Sequence, residues 1–188
     1  MALETVQSRV EIKFAGYGGQ GIALMANIFG KAVQLHTDKK SVLTQSYGPE
    51  SRGGASSADV VVDDNEIDYP YTESGNVGYF IVMSKEAYTK YAPYLKKGGI
   101  LFYDIDLVEI DEKTKKLAGK IYGIPATAIA ERVGMKIAAN IVMLGHMAGN
   151  SDIIPSEVLK NTVLSSVPSK FKLQNEKAFD EGFNYKKN

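Results

Sequence analysis

A glycine-rich run near the start of the chain contains the residues whose spacing most clearly points to chemistry. Gly16, Gly18 and Gly21 satisfy the pattern GxGxxG, and Gly19 and Gln20 lie between them. Glycines permit a tight turn and let main-chain N–H groups approach a phosphate, while the N-terminus of a following helix adds a favourable partial positive charge. The run therefore predicts binding of a phosphate-bearing ligand, with close packing of a helix against a sheet as the alternative reason for the glycines.

A nicotinamide dinucleotide is one candidate for that ligand. Enzymes that use it place an acidic residue at the end of the second strand, about 20 residues further on, where it binds the ribose hydroxyls. Here Asp38 precedes the predicted second strand, which ends at Gln45, Ser46 and Tyr47. A freestanding nucleotide-binding dehydrogenase therefore stays an alternative, and the pattern favours a different phosphate-bearing ligand.

A second polar loop, SYGPESRGG at residues 46–54, follows that strand. The guanidinium group of Arg52 is a permanent cation suited to a phosphate or a carboxylate. Gly53 and Gly54 would let a ligand or another chain approach the main chain closely. In a parallel sheet the loop emerges at the carboxyl end of a strand, near the glycine-rich run, where ligands bind. An ion pair between Arg52 and Glu50 that holds an exposed loop is an equally good explanation.

Hydrophobic periodicity predicts the elements that position these two loops. Strands are predicted at residues 10–15, 41–45, 60–62, 78–83, 100–104 and 120–124, with an extended connection over 63–76. Helices are predicted at residues 22–35, 85–95 behind an N-cap at Ser84, 126–132, 137–148, 156–164 and 175–183, with a solvated turn at 113–116. Strands that alternate with helices predict one α/β domain over residues 1–188, a doubly wound, mostly parallel, Rossmann-like sheet with helices on both faces.

Composition excludes several kinds of partner and site. Lys plus Arg and Asp plus Glu each total 22, so the net charge of zero gives no electrostatic case for nucleic acid or an anionic membrane. No signal peptide and no apolar run near the ~20 residues of a membrane helix are present, so we expect a cytoplasmic protein. Without cysteine the chain has no ligands for an iron–sulfur cluster. His36 and His146 are distant in sequence, which predicts no metal site. His146 lies among apolar residues of a predicted helix, which predicts a core or interface position for it.

Longer motifs are more specific than the glycines alone. GYGGQG at 16–21 is followed by QSYGPESRGG at 45–54, EIDYP at 66–70, MSKEAYTKYAPYLKKGGILFYD at 83–104 and AANIVMLG at 138–145. In this combination the sequence resembles the gamma subunits of 2-oxoacid:ferredoxin oxidoreductases along nearly the whole chain. The residues of the second and third motifs look most like those of the 2-oxoglutarate type, with the pyruvate and branched-chain 2-oxoacid types as alternatives.

The resemblance implies a subunit that is inactive alone. The complete enzyme of this type converts a 2-oxoacid and coenzyme A (CoA) to acyl-CoA and carbon dioxide while it reduces ferredoxin. The resemblance also implies alpha and beta partner subunits with thiamine diphosphate between them, and iron–sulfur clusters in beta and in a ferredoxin-like delta subunit. The gamma domain would help to bind CoA, and no catalytic acid or base is expected in this chain.

Carried over residue by residue, the resemblance implies two groups of site residues. The first group binds the CoA phosphates or contacts a subunit, with Gln20 capping the helix or touching the ligand: Gly16, Gly18, Gly19, Gln20, Gly21 and Arg52. The second group faces the catalytic subunits or shapes the loop: Tyr47, Gly48, Glu50, Gly53 and Gly54. A module that assists assembly without binding any ligand is the remaining alternative.

Overall fold

Six strands and seven α-helices are found in the computed structural model, which describes residues 9–46 and 54–186. The strands are β1 (Val10–Tyr17), β2 (Lys40–Ser46), β3 (Ala55–Asp63), β4 (Val77–Val82), β5 (Leu95–Asp104) and β6 (Lys120–Ile124). The helices are α1 (Ile22–His36), α2 (Lys85–Tyr91), α3 (Glu112–Leu117), α4 (Ala126–Arg132), α5 (Ala139–Asn150), α6 (Ser156–Ser166) and α7 (Lys172–Asn184). Within the described ranges no helix has the length and apolar character needed to cross a membrane.

These strands form one sheet in the order β2-β3-β1-β4-β5-β6. β1 pairs in parallel with β4, β4 with β5, and β5 with β6, so four neighbouring strands run in one direction. β3 is antiparallel to both β1 and β2. The predicted mostly parallel sheet is confirmed, and it contains a β2–β3 hairpin beside β1 that the sequence pattern did not predict.

Helices cover both faces of the sheet, as predicted. On one side, the α1 face, Ile12 and Phe14 of β1 lie in a core shared with α1 and α4–α7. On the other side, the α2 face, Phe80 and Val82 of β4 pack against Ala87 of α2. Successive side chains of a strand point to opposite faces, so the central strand β1 contributes to both cores. Its buried position fixes the place where the glycine-rich run begins.

The predicted helix over residues 85–95 is shorter than its apolar spacing indicated. Ser84 is the N-cap, as predicted, and its hydroxyl accepts a hydrogen bond from the N–H of Ala87 at 3.2 Å. α2 ends at Tyr91, and a 3-10 turn that contains Pro93 follows. Proline lacks an N–H group, so Pro93 cannot donate the hydrogen bond that would continue the α-helix. The chain is therefore extended from Leu95, where β5 begins, and not from residue 100 as predicted.

Residues 113–116 were wrongly predicted to form a solvated turn, because they belong to α3. The carboxylate of Asp111 accepts a hydrogen bond from the N–H of Thr114 at 2.8 Å and one from the hydroxyl of Tyr88 at 2.6 Å. Thr114 is the only buried residue of this short, lysine-rich helix. Periodicity failed here because a single buried position gives no repeating apolar signal.

The last helix, α7, packs along α5 so closely that the two main chains touch. A Cβ atom on Gly145 would lie under 3.0 Å from the carbonyl oxygen of Phe179, and one on Gly182 would lie equally close to that of Val142. α7 begins at Lys172, before the predicted residue 175, and it packs on the chain's own core.

His146 of α5 is a core histidine, as predicted. Its side chain is 3% exposed and is surrounded edge-on by the rings of Phe102, Tyr122 and Tyr185. Burial lowers the pKa of His146 to about 4, and the main chain of Gly182 offsets this only in part. The imidazole is therefore neutral at neutral pH and belongs to the packing of α7.

Candidate functional site

The glycine-rich run lies at the carboxyl edge of the parallel strands. β1, β4, β5 and β6 end at Tyr17, Val82, Asp104 and Ile124 on this one edge. Open α/β sheets bind their ligands just outside the carboxyl ends of the strands. The fold thus brings the predicted phosphate-binding turn to the edge where ligands are expected.

Two residues of the turn adopt a conformation that favours glycine. Gly19 has φ 106° and Gly21 has φ 74°. Gly18 and Gly19 are exposed, and Gly21 is the N-cap residue of α1, with no side chain capping the helix. Exposed glycines at the uncapped start of a 15-residue helix leave room for an anion to approach main-chain N–H groups.

Gln20 fastens the turn to the sheet. Its amide Nε2 donates to the carbonyl of Met83 at 2.7 Å, and its Oε1 accepts from the N–H of Tyr17 at 2.9 Å. The expectation that Gln20 might cap the helix was wrong, because both ends of the amide are used in these contacts and no side chain caps α1. Gly16 lies inside β1, where a Cβ would collide with Gln20 and Ile22. The role of Gly16 is therefore to leave space for the Gln20 side chain and not to offer an open main-chain N–H group to a ligand.

Asn140 of α5 closes the turn from the other side. Its Nδ2 donates to the carbonyl of Gly21 at 3.3 Å, although the two residues are 119 positions apart in sequence. A Cβ atom on Gly21 would collide with this amide. The glycine at the start of α1 is thus required both by its φ angle and by the approach of Asn140.

A cavity of about 110 Å³ opens beside the turn. Its lining combines the turn with the segment that joins α4 to α5: Tyr17, Gly19, Gln20, Thr127, Lys136, Ile137 and Ala139. The cavity has room for several water molecules and therefore for a group of phosphate size. The exposed glycine and the cation of Lys136 in its lining fit an anionic group.

Lys136 and Ile137 are the most exposed side chains of this lining. The Lys136 ammonium pairs with the carboxylate of Glu131 at 2.7 Å, with the lysine side chain 73% exposed. Hydrogen bonding to Glu131 raises the pKa of Lys136, so it is a cation at neutral pH. Ile137 is 69% exposed. Sequence analysis missed Thr127, Lys136 and Ile137, because nothing in their local spacing marks them.

The residues that flank the arginine loop, residues 47–53, lie at the same edge of the sheet as the glycine turn. Tyr47, Gly48, Glu50, Arg52 and Gly53 lie outside the described residues, while Gly54 is described and half-buried. The residues that flank the loop are placed by the sheet: Ser46 pairs with Ser57, and Ala55 pairs with Tyr17. The loop therefore ends next to the glycine turn and starts two strands away from it, at the carboxyl edge as predicted.

The site does not resemble a metal centre. Among the residues that the structure describes, no group of three or more His, Asp or Glu side chains is placed to hold a metal ion. The sequence contains no cysteine. The chemistry that this arrangement supports is recognition of an anionic group by main chain and Lys136.

Comparisons with known proteins agree with the fold and the motifs. Residues 11–185 match the pyruvate ferredoxin/flavodoxin oxidoreductase family. The 2-oxoglutarate synthase subunit KorC of Methanocaldococcus jannaschii is 41% identical over 95% of this chain and 94% of its own length. KorC of Methanothermobacter thermautotrophicus is also 41% identical, over 94% of this chain and 95% of its own.

A solved structure gives the same assignment. The gamma subunit of a keto/oxoacid ferredoxin oxidoreductase from Geobacter sulfurreducens superimposes with a TM-score of 0.80 at 35% identity, covering 93% of this chain and 94% of that subunit. The resemblance inferred from the motifs is thereby confirmed. The chain belongs to the pyruvate ferredoxin/flavodoxin oxidoreductase family, and within it to the gamma subunits of multisubunit 2-oxoacid oxidoreductases.

Proposed function

We propose that the chain is the gamma subunit of a 2-oxoglutarate:ferredoxin oxidoreductase. This enzyme converts 2-oxoglutarate, CoA and oxidised ferredoxin to succinyl-CoA, carbon dioxide and reduced ferredoxin. The observation that supports the substrate is the 41% identity with a 2-oxoglutarate synthase subunit over almost the whole length of both chains. The chain contributes binding and assembly, and the partner subunits contribute the chemistry.

The proposed partners are alpha, beta and ferredoxin-like delta subunits in the cytoplasm, with ferredoxin as the electron acceptor. As the family resemblance implies, thiamine diphosphate lies between alpha and beta, and the iron–sulfur clusters lie in beta and delta. The absence of cysteine from this chain agrees with that arrangement, because the chain has no thiolate ligands. Exposed Tyr17 and Ile137 beside the glycine turn supply apolar contact area for the catalytic subunits. Tyr47, Glu50 and Arg52, which lie outside the described residues, are proposed from the family resemblance to face the same subunits.

The proposed role of the glycine turn is to bind a phosphate group of CoA. Support comes from the exposed main chain at Gly18 and Gly19, the uncapped start of α1, and the cation of Lys136 at the same cavity. When bound, CoA supplies the thiol that accepts the acyl group. This chain's residues hold and orient the coenzyme from its phosphate end.

Strand order disfavours the alternative of a freestanding dehydrogenase. In dinucleotide-binding folds the second strand lies next to the first, in parallel, and its acidic end reaches the ribose. Here β3 lies between β1 and β2, and β2 ends at Ser46. The position that would bind the ribose is therefore one strand further from the turn and carries no acid.

We expect the purified chain to show no 2-oxoacid-dependent dye reduction, and co-expression with alpha, beta and delta partners to restore it. Initial rates with 2-oxoglutarate, pyruvate and 2-oxoisovalerate, each with CoA, test the substrate, and the highest kcat/KM is expected with 2-oxoglutarate. Activity of the isolated chain, or tight NAD(H) binding by calorimetry, would contradict the proposal. A preference for pyruvate would leave the subunit assignment and change the substrate.

Lys136→Gln is expected to raise the KM for CoA of the co-expressed complex about tenfold, because a charge-assisted hydrogen bond is lost, about 1.4 kcal/mol. The KM for the 2-oxoacid and kcat at saturating CoA should not change. Lys115→Gln is the matched control, since Lys115 is also exposed and also pairs with one glutamate, Glu112 at 2.8 Å, but lies on α3. Equal effects of the two substitutions would argue against an anion at the glycine turn.

A further inference from the structure

Asp104, the last residue of β5, is a fully buried carboxylate at the edge that carries the proposed CoA site. It is 0% exposed. Burial of an unpaired charge is costly, so a carboxylate persists in such a place only when it is well hydrogen-bonded. Burial raises the pKa of Asp104, and hydrogen bonds from Thr127 and Asp106 oppose that increase.

The contacts of Asp104 join two elements that are distant in sequence. Oδ2 accepts from the N–H of Thr127 at 3.0 Å and from its hydroxyl at 2.7 Å. Oδ1 accepts from the N–H of Asp106 at 3.1 Å. Each bond is donated to the carboxylate, and no Lys or Arg in the described ranges pairs with it. Asp104 therefore acts on α4 through Thr127.

Thr127 connects the hydrogen bonds of Asp104 to the cavity. It lies in the first turn of α4, a helix whose own N-cap residue, Pro125, offers no side-chain acceptor. A carboxylate from another element takes that capping role. Thr127 also lines the cavity beside Gly19 and Lys136. Thr127 and Lys136 form the wall of the cavity that faces the glycine turn. Asp104 fixes this wall to the sheet through Thr127, and Asn140 joins the same side of the cavity to the turn.

We propose that Asp104 is a positioning residue for CoA, holding the Thr127–Lys136 wall at the distance from the glycine turn that a phosphate group requires. The proposal rests on the proposed function of this turn. Asp104 does not touch the coenzyme. It sets the binding geometry through one side chain, so its loss weakens CoA binding without altering the reaction on the partner subunits.

Asparagine at this position tests the proposal because it cannot satisfy all three donors. If its NH2 group faces Thr127, the bond from the Thr127 N–H is lost, the two N–H donors oppose each other, and the hydroxyl must turn to accept. If its NH2 group faces Asp106, the bond from the Asp106 N–H is lost and those two donors oppose each other. In the co-expressed complex, Asp104→Asn is expected to raise the KM for CoA about three- to tenfold, a loss of about 0.7–1.4 kcal/mol. We expect kcat at saturating CoA and the KM for the 2-oxoacid to stay as in the wild type.

Asp111→Asn is the matched control. Asp111 also caps a short helix, through the N–H of Thr114 at 2.8 Å, and also accepts a hydroxyl hydrogen bond, from Tyr88 at 2.6 Å. It serves α3 on the opposite face and is exposed, so its loss removes a helix cap at a smaller cost in stability and should leave the KM for CoA unchanged. A general effect of destabilisation would move both variants together and would overturn the positioning role.

Two further variants separate the possible failures. Thr127→Val removes the hydroxyl contact with Asp104. The double variant with Asp104→Asn should raise the KM for CoA no more than the larger single change, because both substitutions act on the same contact between Asp104 and Thr127. If Lys136→Gln raises the KM for CoA while Asp104→Asn and Thr127→Val do not, the positioning role is wrong and the turn's function stands. If none of the three changes it, CoA does not bind at this turn and both proposals fail. Should Asp104→Asn fail to assemble, Thr127→Val alone decides the outcome in the same way.

Discussion

Gly182→Ala is expected to lower the free energy of unfolding of the chain by about 2–3 kcal/mol, although alanine is the better helix former. In an unobstructed helix, alanine in place of glycine stabilises by about 1 kcal/mol. At Gly182 the added Cβ would lie under 3.0 Å from the carbonyl oxygen of Val142 and would also press on the main chain of His146. Overpacking of this kind costs about 1–3 kcal/mol or more, and here the obstacle is main chain, which cannot rotate away.

Gly30→Ala in α1 is the control that gives the opposite sign. Gly30 is also a buried helical glycine, but its added Cβ would meet the nearest atoms of Ser41 and Val60 at 3.8 Å, an ordinary contact distance. We expect Gly30→Ala to leave stability unchanged or to raise it by up to about 1 kcal/mol. Denaturant unfolding of both full-length variants, followed by circular dichroism, measures the difference. Stabilisation by Gly182→Ala would mean that α5 and α7 do not approach as closely as the structure describes.

The fold was predictable wherever local pattern and tertiary packing agree. The glycine turn is a clear example, because a short buried strand, a glycine run and an amphipathic helix occur in immediate succession from Val10 to His36. The parallel order of β4, β5 and β6 follows from their alternation with helices. The β2–β3 hairpin was less predictable, because its connection, the polar loop at residues 47–53, is longer than the loops of about two to five residues that usually join hairpin strands.

The site was predictable only in its first half. The spacing of Gly18, Gly19 and Gly21 identifies them in the sequence. Their neighbours in the structure, Thr127, Lys136 and Asn140, belong to the last third of the chain and have no such spacing. Asn140 reaches the carbonyl of Gly21 across 119 positions of sequence. Such contacts depend on how α4 and α5 pack on the α1 face, and no local pattern encodes that packing. Sequence alone therefore identifies the turn and misses the wall opposite it.

Buried charges on the α2 face are a second feature that alternation does not reveal. In β1 the polar residues Glu11 and Lys13 alternate with Ile12 and Phe14, a pattern that usually places the polar side in water. Both are buried here, at 6% and 2% exposure. The connection over residues 64–76 covers them, and its main chain bonds to this charged layer, as when the N–H of Glu73 donates to Glu11 at 3.0 Å.

Lys13→Met is expected to lower the free energy of unfolding by about 3–5 kcal/mol, since it leaves a largely buried carboxylate without its cation. The Lys13 ammonium contacts both oxygens of Asp59, at 2.6 and 2.8 Å, with the two side chains 3% and 14% exposed. It also lies 4.4 Å from the ring centre of Tyr94. After the substitution Asp59 keeps the hydroxyl of Thr72, at 2.7 Å, which cannot replace a full charge. Lys39→Met is the control, because the ion pair of Lys39 with Asp64 is 40% and 56% exposed, and such pairs contribute about 0–1 kcal/mol.

A double-mutant cycle separates the charge from the loss of packing. Asp59→Leu alone should also destabilise, because it leaves Lys13 buried without a carboxylate. The double variant Lys13→Met/Asp59→Leu should be more stable than Lys13→Met alone, since replacing both partners of a buried pair by apolar residues is often neutral. Denaturant unfolding at pH 7 gives the three differences from wild type. If the two single effects simply add in the double variant, Lys13 and Asp59 are not energetically coupled. The stability of the buried charged layer then comes from the contacts of residues 64–76 and not from the ion pair.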